Sequence, residues 1–456
     1  MSLSIIILAA GQGKRMKSRL PKVLHKLAGR TLLEHVYAAV LQLDFRETHI
    51  VYGYGGRQVP EALAHLQGVN WVEQKKQLGT GHAVRQALAH IPIVDHVLIL
   101  YGDVPLITYQ TLERLVNAAD ETGFSLLTSY IDDPQGYGRI IRDGKGDVVR
   151  IVEEKDATPE QASVCEINTG MMTVKAKYLT RWLEELENRN QQGEYYLTDI
   201  VEKAVADGLT IHTANPDSVS EIRGVNDRIQ LAEMERYYQL IQAHHLMRQG
   251  VTLFDPARFE LRGELEAGRD ITIDVNVVLE GSISIGDNVS IGANCLIKDA
   301  DIADGVIILP HCVIENAVIG KRCRIGPFAR IRPHTRLAED VHVGNFVEVK
   351  NAEVAAGSKM NHLSYIGDAE IGKDCNIGAG TITCNFDGAN KHKTVIGDDV
   401  HIGSDTQLIA PVKIGDGVTI GAGTTVTKDI DSNRLVHNKI ERREVKGWKR
   451  PKKKQD

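Results

Sequence analysis

The segment I-G-D-N-V-S-I-G-A-N-C-L-I, Ile285 to Ile297, sets an aliphatic residue at every sixth position and follows it twice with glycine. The same spacing runs back through Leu279 to Ile273 and forward to Ala303 and Leu309. After a slip it resumes at Ile319, Ile325, Ile331, Leu337, Val343, Val349 and Ala355, then at Ile371 and Ile377. It returns once more at Ile396, Ile402, Leu408, Ile414, Ile420 and Val426. Six residues make one short strand and a turn, and three such units close a triangular coil. Each coil buries its aliphatic residues only by stacking on the next, so the spacing predicts a parallel β-helix over the second half of the chain. The fourth position after the aliphatic must be small, and it holds Cys295, Cys323 and Cys375, which gives those thiols a packing role.

Loops thrown out of a regular solenoid tend to carry function. The count breaks around Asn361, His362 and Tyr365, and again from Thr383 to Val395. Both breaks are candidate functional loops.

The first half has a different rhythm. Residues 4 to 10, S-I-I-I-L-A-A, form a β-branched apolar run ending at Gly11, with further strand candidates at His49 to Val51 and His96 to Leu100. Helical stretches lie between, at Thr31 to Leu43 and Gly81 to Ala89. This alternation predicts a mostly parallel sheet with helices on both faces and ligands at the carboxyl ends of its strands. From Asn226 to Gly250 turn signals are few, and Leu231, Met234, Tyr238 and Ile241 recur at helical spacing, so a connecting helix is expected, with His244 and His245 on its polar face. The expected division is residues 1–226, a linker helix over 227–250, and residues 251–456 with a basic tail.

A chain of 456 residues exceeds what one core usually serves. The 42 glycines against 5% aromatics favour turn-rich β structure. A net charge of −6 argues against binding nucleic acid along the chain. The basic end, Lys446, Lys449, Arg450, Lys452, Lys453 and Lys454, reads as a solvated tail. Six cysteines show neither a C-x-x-C pair nor zinc spacing, and the apolar run after Met1 is too short to span a membrane or to form a signal peptide. A cytoplasmic protein with reduced thiols is expected.

The first strand opens into L-A-A-G-Q-G-K-R-M, Leu8 to Met16, with Lys22 shortly after. Glycines there let backbone N–H groups approach phosphates, while Arg15 and Lys22 supply charge for a triphosphate. The loop lacks the Walker pattern and the third glycine of the dinucleotide fingerprint. Its companions are Gln74, L-G-T-G-H at Leu78 to His82, Y-G-D-V-P-L at Tyr101 to Leu106 and G-Y-G-R-I at Gly136 to Ile140. Glu153 in I-V-E-E-K, N-T-G at Asn168 to Gly170 and G-V-N at Gly224 to Asn226 complete the set.

With these motifs the first half resembles the sugar-1-phosphate nucleotidyltransferases. Together with the repeat, nearly the whole chain resembles the family of bifunctional N-acetylglucosamine-1-phosphate uridylyltransferases and glucosamine-1-phosphate acetyltransferases. The resemblance implies an α/β protein: an N-terminal Rossmann-like nucleotidyltransferase domain, a connecting helix and a C-terminal left-handed parallel β-helix that packs as a homotrimer. It implies that Leu8, Ala9, Ala10, Gly11, Gln74, Gly79 and Thr80 hold the uridine nucleotide, and that Gly138, Glu153 and Asn168 hold the sugar. Lys22, Tyr101, Gly102, Asp103 and Asn226 belong to the same nucleotide and sugar site. Asp103 and Asn226 would coordinate Mg²⁺, and Arg15 and Lys22 would neutralise charge while sugar phosphate attacks UTP.

In the second half the resemblance makes Arg332 and Lys350 a clamp on the phosphate of glucosamine 1-phosphate and His362 the general base of acetyl transfer. Tyr365 and Asn376 would orient the sugar. Ala379, Asn385, Phe386, Ser404, Ala422 and Lys439 fall on the acetyl-CoA positions, with Phe386 where tyrosine is usual and Lys439 where arginine is common. The implied product, UDP-N-acetylglucosamine, is a precursor of peptidoglycan and lipopolysaccharide. Two other functions remain open: a nucleotidyltransferase whose β-helix only oligomerises or regulates, and a sugar-nucleotide-sensing scaffold.

Overall fold

In the strand Leu3–Ala9 every residue is buried. Its side chains alternate between two cores, Leu3, Ile5, Ile7 and Ala9 in one and Ile6 and Leu8 in the other. A strand covered on both faces needs no polar side, which is why this run is apolar apart from the small, buried Ser4. The computed structural model describes residues 2–91, 94–439, 442–451 and 453, so Lys452 and Lys454 of the basic tail lie outside the described residues. Two compact units divide the chain, Met1–Tyr238 and Gln239–Asp456.

The sheet of the first unit runs in the order His212–Ala214, Phe124–Tyr130, Glu166–Lys175, His96–Tyr101, Leu3–Ala9, Glu47–Tyr52 and Val69–Glu73. Leu3–Ala9 pairs in parallel with both neighbours. Antiparallel pairing enters with Glu166–Lys175, against His96–Tyr101, Phe124–Tyr130 and the off-path strand Gly138–Arg142, which in turn pairs antiparallel with Val148–Val152. Leu8 pairs with Tyr101, so the glycine-rich loop and the Tyr101–Asp103 turn leave the sheet at the same carboxyl edge. A capping box between Thr31 and Glu34 starts the helix Leu32–Val40.

The predicted connecting helix spans Arg228–Arg248. Its buried stripe differs from the expected one beyond Tyr238: Ile241 is exposed, and Gln239, Ala243 and Leu246 are buried instead. Gln239 holds that position because its side-chain amide both donates to and accepts from the backbone of Leu261, at 3.0 and 2.8 Å. His244 and His245 are exposed. Among the described residues no helix is long and apolar enough to cross a membrane.

In the second unit, parallel ladders stack one coil on the next, and the aliphatic residues of the repeat form a single core. The inward register corrects the sequence count in three places. Ile302, Ile308 and Val354 point inward where Ala303, Leu309 and Ala355 were expected. The physical cause is a short corner. In the strands Leu296–Ile302, Val313–Ile319, Glu348–Val354 and Tyr365–Ile371, one Asp or Asn with positive φ (Asp299, Asn316, Asn351 or Asp368) turns the chain between two inward residues. These short-chain polar residues tolerate the left-handed region, so the corner closes with one residue fewer.

Stepping from Val354 rather than Ala355, the repeat continues through Met360, Ile366, Ile371 and Ile377. The expected break at Asn361 to Tyr365 is therefore not an ejected loop, and His362 sits at an ordinary corner of an unbroken coil. The second break is an insertion. Asn385 to Lys393 leaves the solenoid between the strands Ile382–Cys384 and Thr394–Ile396, closed by a bridge between Phe386 and Lys391.

Glycine behind the aliphatic residue is a stacking requirement at these corners. A Cβ on Gly378 would lie 2.6 Å from the backbone carbon of Gly403 in the next coil. Cys295, Cys312, Cys323 and Cys375 are all buried between coils. Burial pushes the Cys323 thiol up to about 11 and raises that of Cys375, as expected of packing residues.

Candidate functional site

At the carboxyl edge of the first unit's sheet lies a cavity of about 530 Å³. It is lined by Leu8, Ala9, Ala10, Gly11, Lys22, Gln74, Gly79, Thr80, Tyr101 and Asp103, ten of the expected site residues. Gln12, Lys14 and Gln77 also line it, as does Glu194, which no motif marked. Arg15 is exposed and lies outside the lining. Gln74 is fixed by hydrogen bonds from its amide to the carbonyl of Gly79 at 3.2 Å and to His82 Nδ1 at 2.9 Å.

The loop turns through Gly13 at φ 58°, where a Cβ would lie 2.8 Å from that of Lys22. Lys22, seated against it, reaches two expected metal ligands at once. Its ammonium donates to Asp103 Oδ2 and, at 3.1 Å, to Asn226 Oδ1. The carboxylate and the amide oxygen thus already face a single cationic group. Hard oxygen donors around one positive charge suit Mg²⁺, which takes one or two protein ligands and fills its shell with phosphate oxygens and water. Among the described residues no cluster of three His, Cys, Asp or Glu offers a fuller cage.

The expected sugar residues assemble beside this pair. Gly138 and Asn168 are strand partners, and Glu153 Oε2 lies 3.5 Å from where a Cβ on Gly138 would stand. Asn168 Oδ1 accepts the backbone N–H of Gly170 at 3.0 Å. The Tyr101 ring covers Gly170, whose missing side chain makes room for it. Burial, with the negative charges of Glu153 and Asp103, raises the Tyr101 phenol, which stays neutral. Burial also raises the Glu153 carboxyl, against a 3.0 Å hydrogen bond from Thr198. Gly102, buried, donates its N–H to the carbonyl of Leu8 at 2.9 Å.

In the second unit, Arg332 pairs with Glu348 at 2.6 Å. Lys350 stands beside Lys391 of the insertion, and that like charge holds the Lys391 ammonium below its ordinary value. Lys391, which belongs to no motif of the sequence, is exposed on the insertion. Tyr365 lies over Gly367, and its hydroxyl is 3.4 Å from Asn385 Nδ2. His362 Nδ1 faces Asn345 Oδ1 at 3.2 Å. With Nδ1 donating to that oxygen, Nε2 keeps its lone pair.

Ala379, Ser404 and Ala422 stack on one corner. Asp405 N–H donates to the Ala379 carbonyl at 2.7 Å, and Gly423 N–H to that of Ser404 at 2.8 Å. Phe386 is 61% exposed at the start of the insertion. Lys439 and Asn376 are exposed.

Residues 5–201 match the MobA-like NTP transferase domain, residues 262–356 the GMPPB C-terminal domain, and residues 393–428 the bacterial transferase hexapeptide with six repeats. The chain is 58% identical over 454 residues to the bifunctional protein GlmU of Methylococcus capsulatus, covering 99% of this chain and 98% of that one. Two solved structures align with about half of it. One is UDP-glucose pyrophosphorylase complexed with UDP-glucose, 16% identical, with a TM-score of 0.43 over 52% of this chain and 98% of that one. The other is a nucleotidyl transferase from Methanothermobacter thermautotroptrophicus, 19% identical, with a TM-score of 0.38 over 55% of this chain and 99% of that one.

Proposed function

The chain belongs to the GlmU family, and on that premise we propose that its two units perform successive steps in making UDP-N-acetylglucosamine. The β-helix unit transfers an acetyl group from acetyl-CoA to glucosamine 1-phosphate. The α/β unit, residues 1–226, joins the product to UTP and releases pyrophosphate. The linker helix over 227–250 precedes the acetyltransferase domain over 251–456.

In the first site the sugar phosphate already carries an anionic oxygen, so no protein nucleophile is needed. That oxygen attacks the α-phosphorus of UTP in line, and the bond to the β-phosphate oxygen breaks. The glycine-rich loop, Gln74, Gly79 and Thr80 hold the nucleotide. Gly138, Glu153 and Asn168 hold the sugar, and Lys22 and Arg15 offset the charge that accumulates on the phosphates. Asp103 and Asn226 would hold Mg²⁺, which supplies charge neutralisation across the phosphates.

In the second site Arg332, Lys350 and Lys391 grip the sugar phosphate, while Tyr365 and Asn376 orient the ring. His362 Nε2 takes the proton from the amine as nitrogen attacks the thioester carbonyl, and the CoA thiolate leaves. Ala379, Asn385, Phe386, Ser404, Ala422 and Lys439 line the acetyl-CoA path. The observation that carries the bifunctional reading is His362 Nδ1 held 3.2 Å from Asn345 Oδ1, on coils where Asn385 Nδ2 reaches the Tyr365 hydroxyl at 3.4 Å.

The assembly is a cytoplasmic homotrimer. Supporting this, Phe328, Phe346 and Leu363, 47%, 55% and 64% exposed, stand at left-handed corners of successive coils. The rings of His311, Phe328 and Phe346 stack 4.8 and 5.3 Å apart. Such an exposed apolar ladder suits contact with a second copy of the β-helix. All six thiols are free, in keeping with a reducing compartment.

The test supplies glucosamine 1-phosphate, acetyl-CoA, UTP and Mg²⁺ and follows free CoA, pyrophosphate and UDP-N-acetylglucosamine. All three products are expected. Pyrophosphate from N-acetylglucosamine 1-phosphate, with no CoA released from glucosamine 1-phosphate at saturating acetyl-CoA, would instead leave a nucleotidyltransferase alone.

A further inference from the structure

Asp368 is a buried carboxylate that neither reaction step uses. It occupies one of the short corners, at φ 48°. Turning that corner explains an Asp or an Asn, since Asn351 and Asn316 do the same one and two short corners away. It does not explain a buried negative charge, which is costly unless paired and hydrogen-bonded.

The pairing is complete and points at the insertion. Asp368 Oδ1 accepts from Asn351 Nδ2 at 2.5 Å, and Oδ2 accepts from Asn385 Nδ2. Asn385 is where the inserted loop begins. Its carbonyl accepts the N–H of His392 at 2.8 Å, and Phe386 bridges to Lys391, so the loop's two strands close directly above this contact. The same Asn385 amide reaches Tyr365 Oη at 3.4 Å. Burial pushes the Asp368 carboxyl up, but the two amide hydrogen bonds and the charges of Lys350 and Lys391 outweigh it and hold it below its ordinary value.

We propose that Asp368 is a positioning residue for acetyl transfer: its carboxylate anchors the base of the inserted loop, residues 385–393, and so sets Asn385 and Lys391 against Tyr365 and Lys350. The proposal rests on the reading of these coils as the acetyl-transfer site. It adds a dependence of that site on a residue that touches neither substrate. The loop is otherwise exposed from Phe386 to Lys391, so the Asp368 contact ties its first residue to the solenoid, while the Lys393–Glu370 ion pair ties its last.

Asp368→Asn is the discriminating change, because asparagine keeps the corner conformation and the shape while replacing one acceptor oxygen by a donor that faces the Asn385 amide. In the full-length protein, backbone amides 385–393 should exchange with solvent roughly tenfold to a hundredfold faster, the loss expected for one charge-assisted hydrogen bond. KM for glucosamine 1-phosphate and acetyl-CoA should rise several-fold, and uridylyl transfer from N-acetylglucosamine 1-phosphate should match the wild type. Asn385→Leu cuts the same bond from the loop side and should accelerate exchange equally, which keeps the test open if Asp368→Asn folds poorly. The double change Asp368→Asn with Asn385→Asp restores a donor–acceptor pair and should recover much of the protection. Unchanged exchange in both single variants would overturn the proposal, as would a fall in kcat with both KM values unmoved. Hydrogen exchange needs no substrate, so a wild-type protein without acetyl transfer would defeat the functional reading while leaving the anchor decided on its own result.

Discussion

Asp103 and Asn226 share one partner: the Lys22 ammonium, which pairs with the Asp103 carboxylate, lies 3.1 Å from the Asn226 amide oxygen. Asp103 lies in the turn after the strand His96–Tyr101, Asn226 lies just before a helix, and Lys22 lies beyond the glycine-rich loop. Their meeting locates the charge-handling centre of the first unit.

Lys22→Ala should remove from that centre the ammonium that pairs with Asp103. Uridylyl transfer should fall by roughly two to three orders of magnitude, the usual loss when a preorganised charge is removed from an active site. Acetyl transfer should be unchanged. Pyrophosphate release and CoA release, measured on the same preparation, check both halves of the statement.

Gly170→Ala should be poorly tolerated. Gly170 has φ 83°, and a Cβ there would stand 2.5 Å from the Tyr101 ring. Left-handed strain and the clash together should cost about 2–4 kcal/mol of unfolding free energy, read by urea denaturation. Because Tyr101 lines the cavity at the carboxyl edge of the sheet, kcat/KM for uridylyl transfer should fall as well.

Asp199 gives the stability of the first unit a particular pH dependence. Burial, with the charges of Glu202 and Glu153, pushes its carboxyl up from 3.8 to about 6. The folded state therefore holds a proton that the unfolded chain has already lost between those values, so this group's contribution falls as pH rises and its penalty is complete above about 6. Asp199→Asn removes the penalty. Its unfolding midpoint should exceed the wild type by a few degrees at pH 8 and converge with it near pH 4. A gap that persists at pH 4 would contradict the assignment.

Phe328→Ser with Phe346→Ser should break the aromatic ladder and shift the protein toward monomer at micromolar concentration in sedimentation velocity. Uridylyl transfer should survive. A trimer that persists unchanged would place the subunit contact on another face.

The fold was legible because both halves carry strong periodicity, a doubly covered apolar strand in one and a six-residue stride in the other. The stride failed where a single Asp or Asn closed a corner. Asp299 and Asn351 each drop one residue, so Ala303 and Ala355 looked inward when Ile302 and Val354 are. The same dropped residue makes an ordinary corner at His362 resemble a loop in the six-residue count, whereas the break expected from Thr383 to Val395 holds a true insertion, residues 385–393. In the sites, residues such as Gln74 and Gly79 stand out in the sequence because they sit in short motifs of distinctive composition, and the structure brings them to one cavity. Glu194, Asp368 and Lys391 were not, since their importance comes only from which coil or strand they meet.

His362→Ala, assayed for both products in one preparation, tests the central claim most directly. With glucosamine 1-phosphate and acetyl-CoA it should release no CoA above background. With N-acetylglucosamine 1-phosphate and UTP it should release pyrophosphate at the wild-type rate. Equal loss of both activities, or CoA release that persists, would contradict an account in which each unit carries its own chemistry.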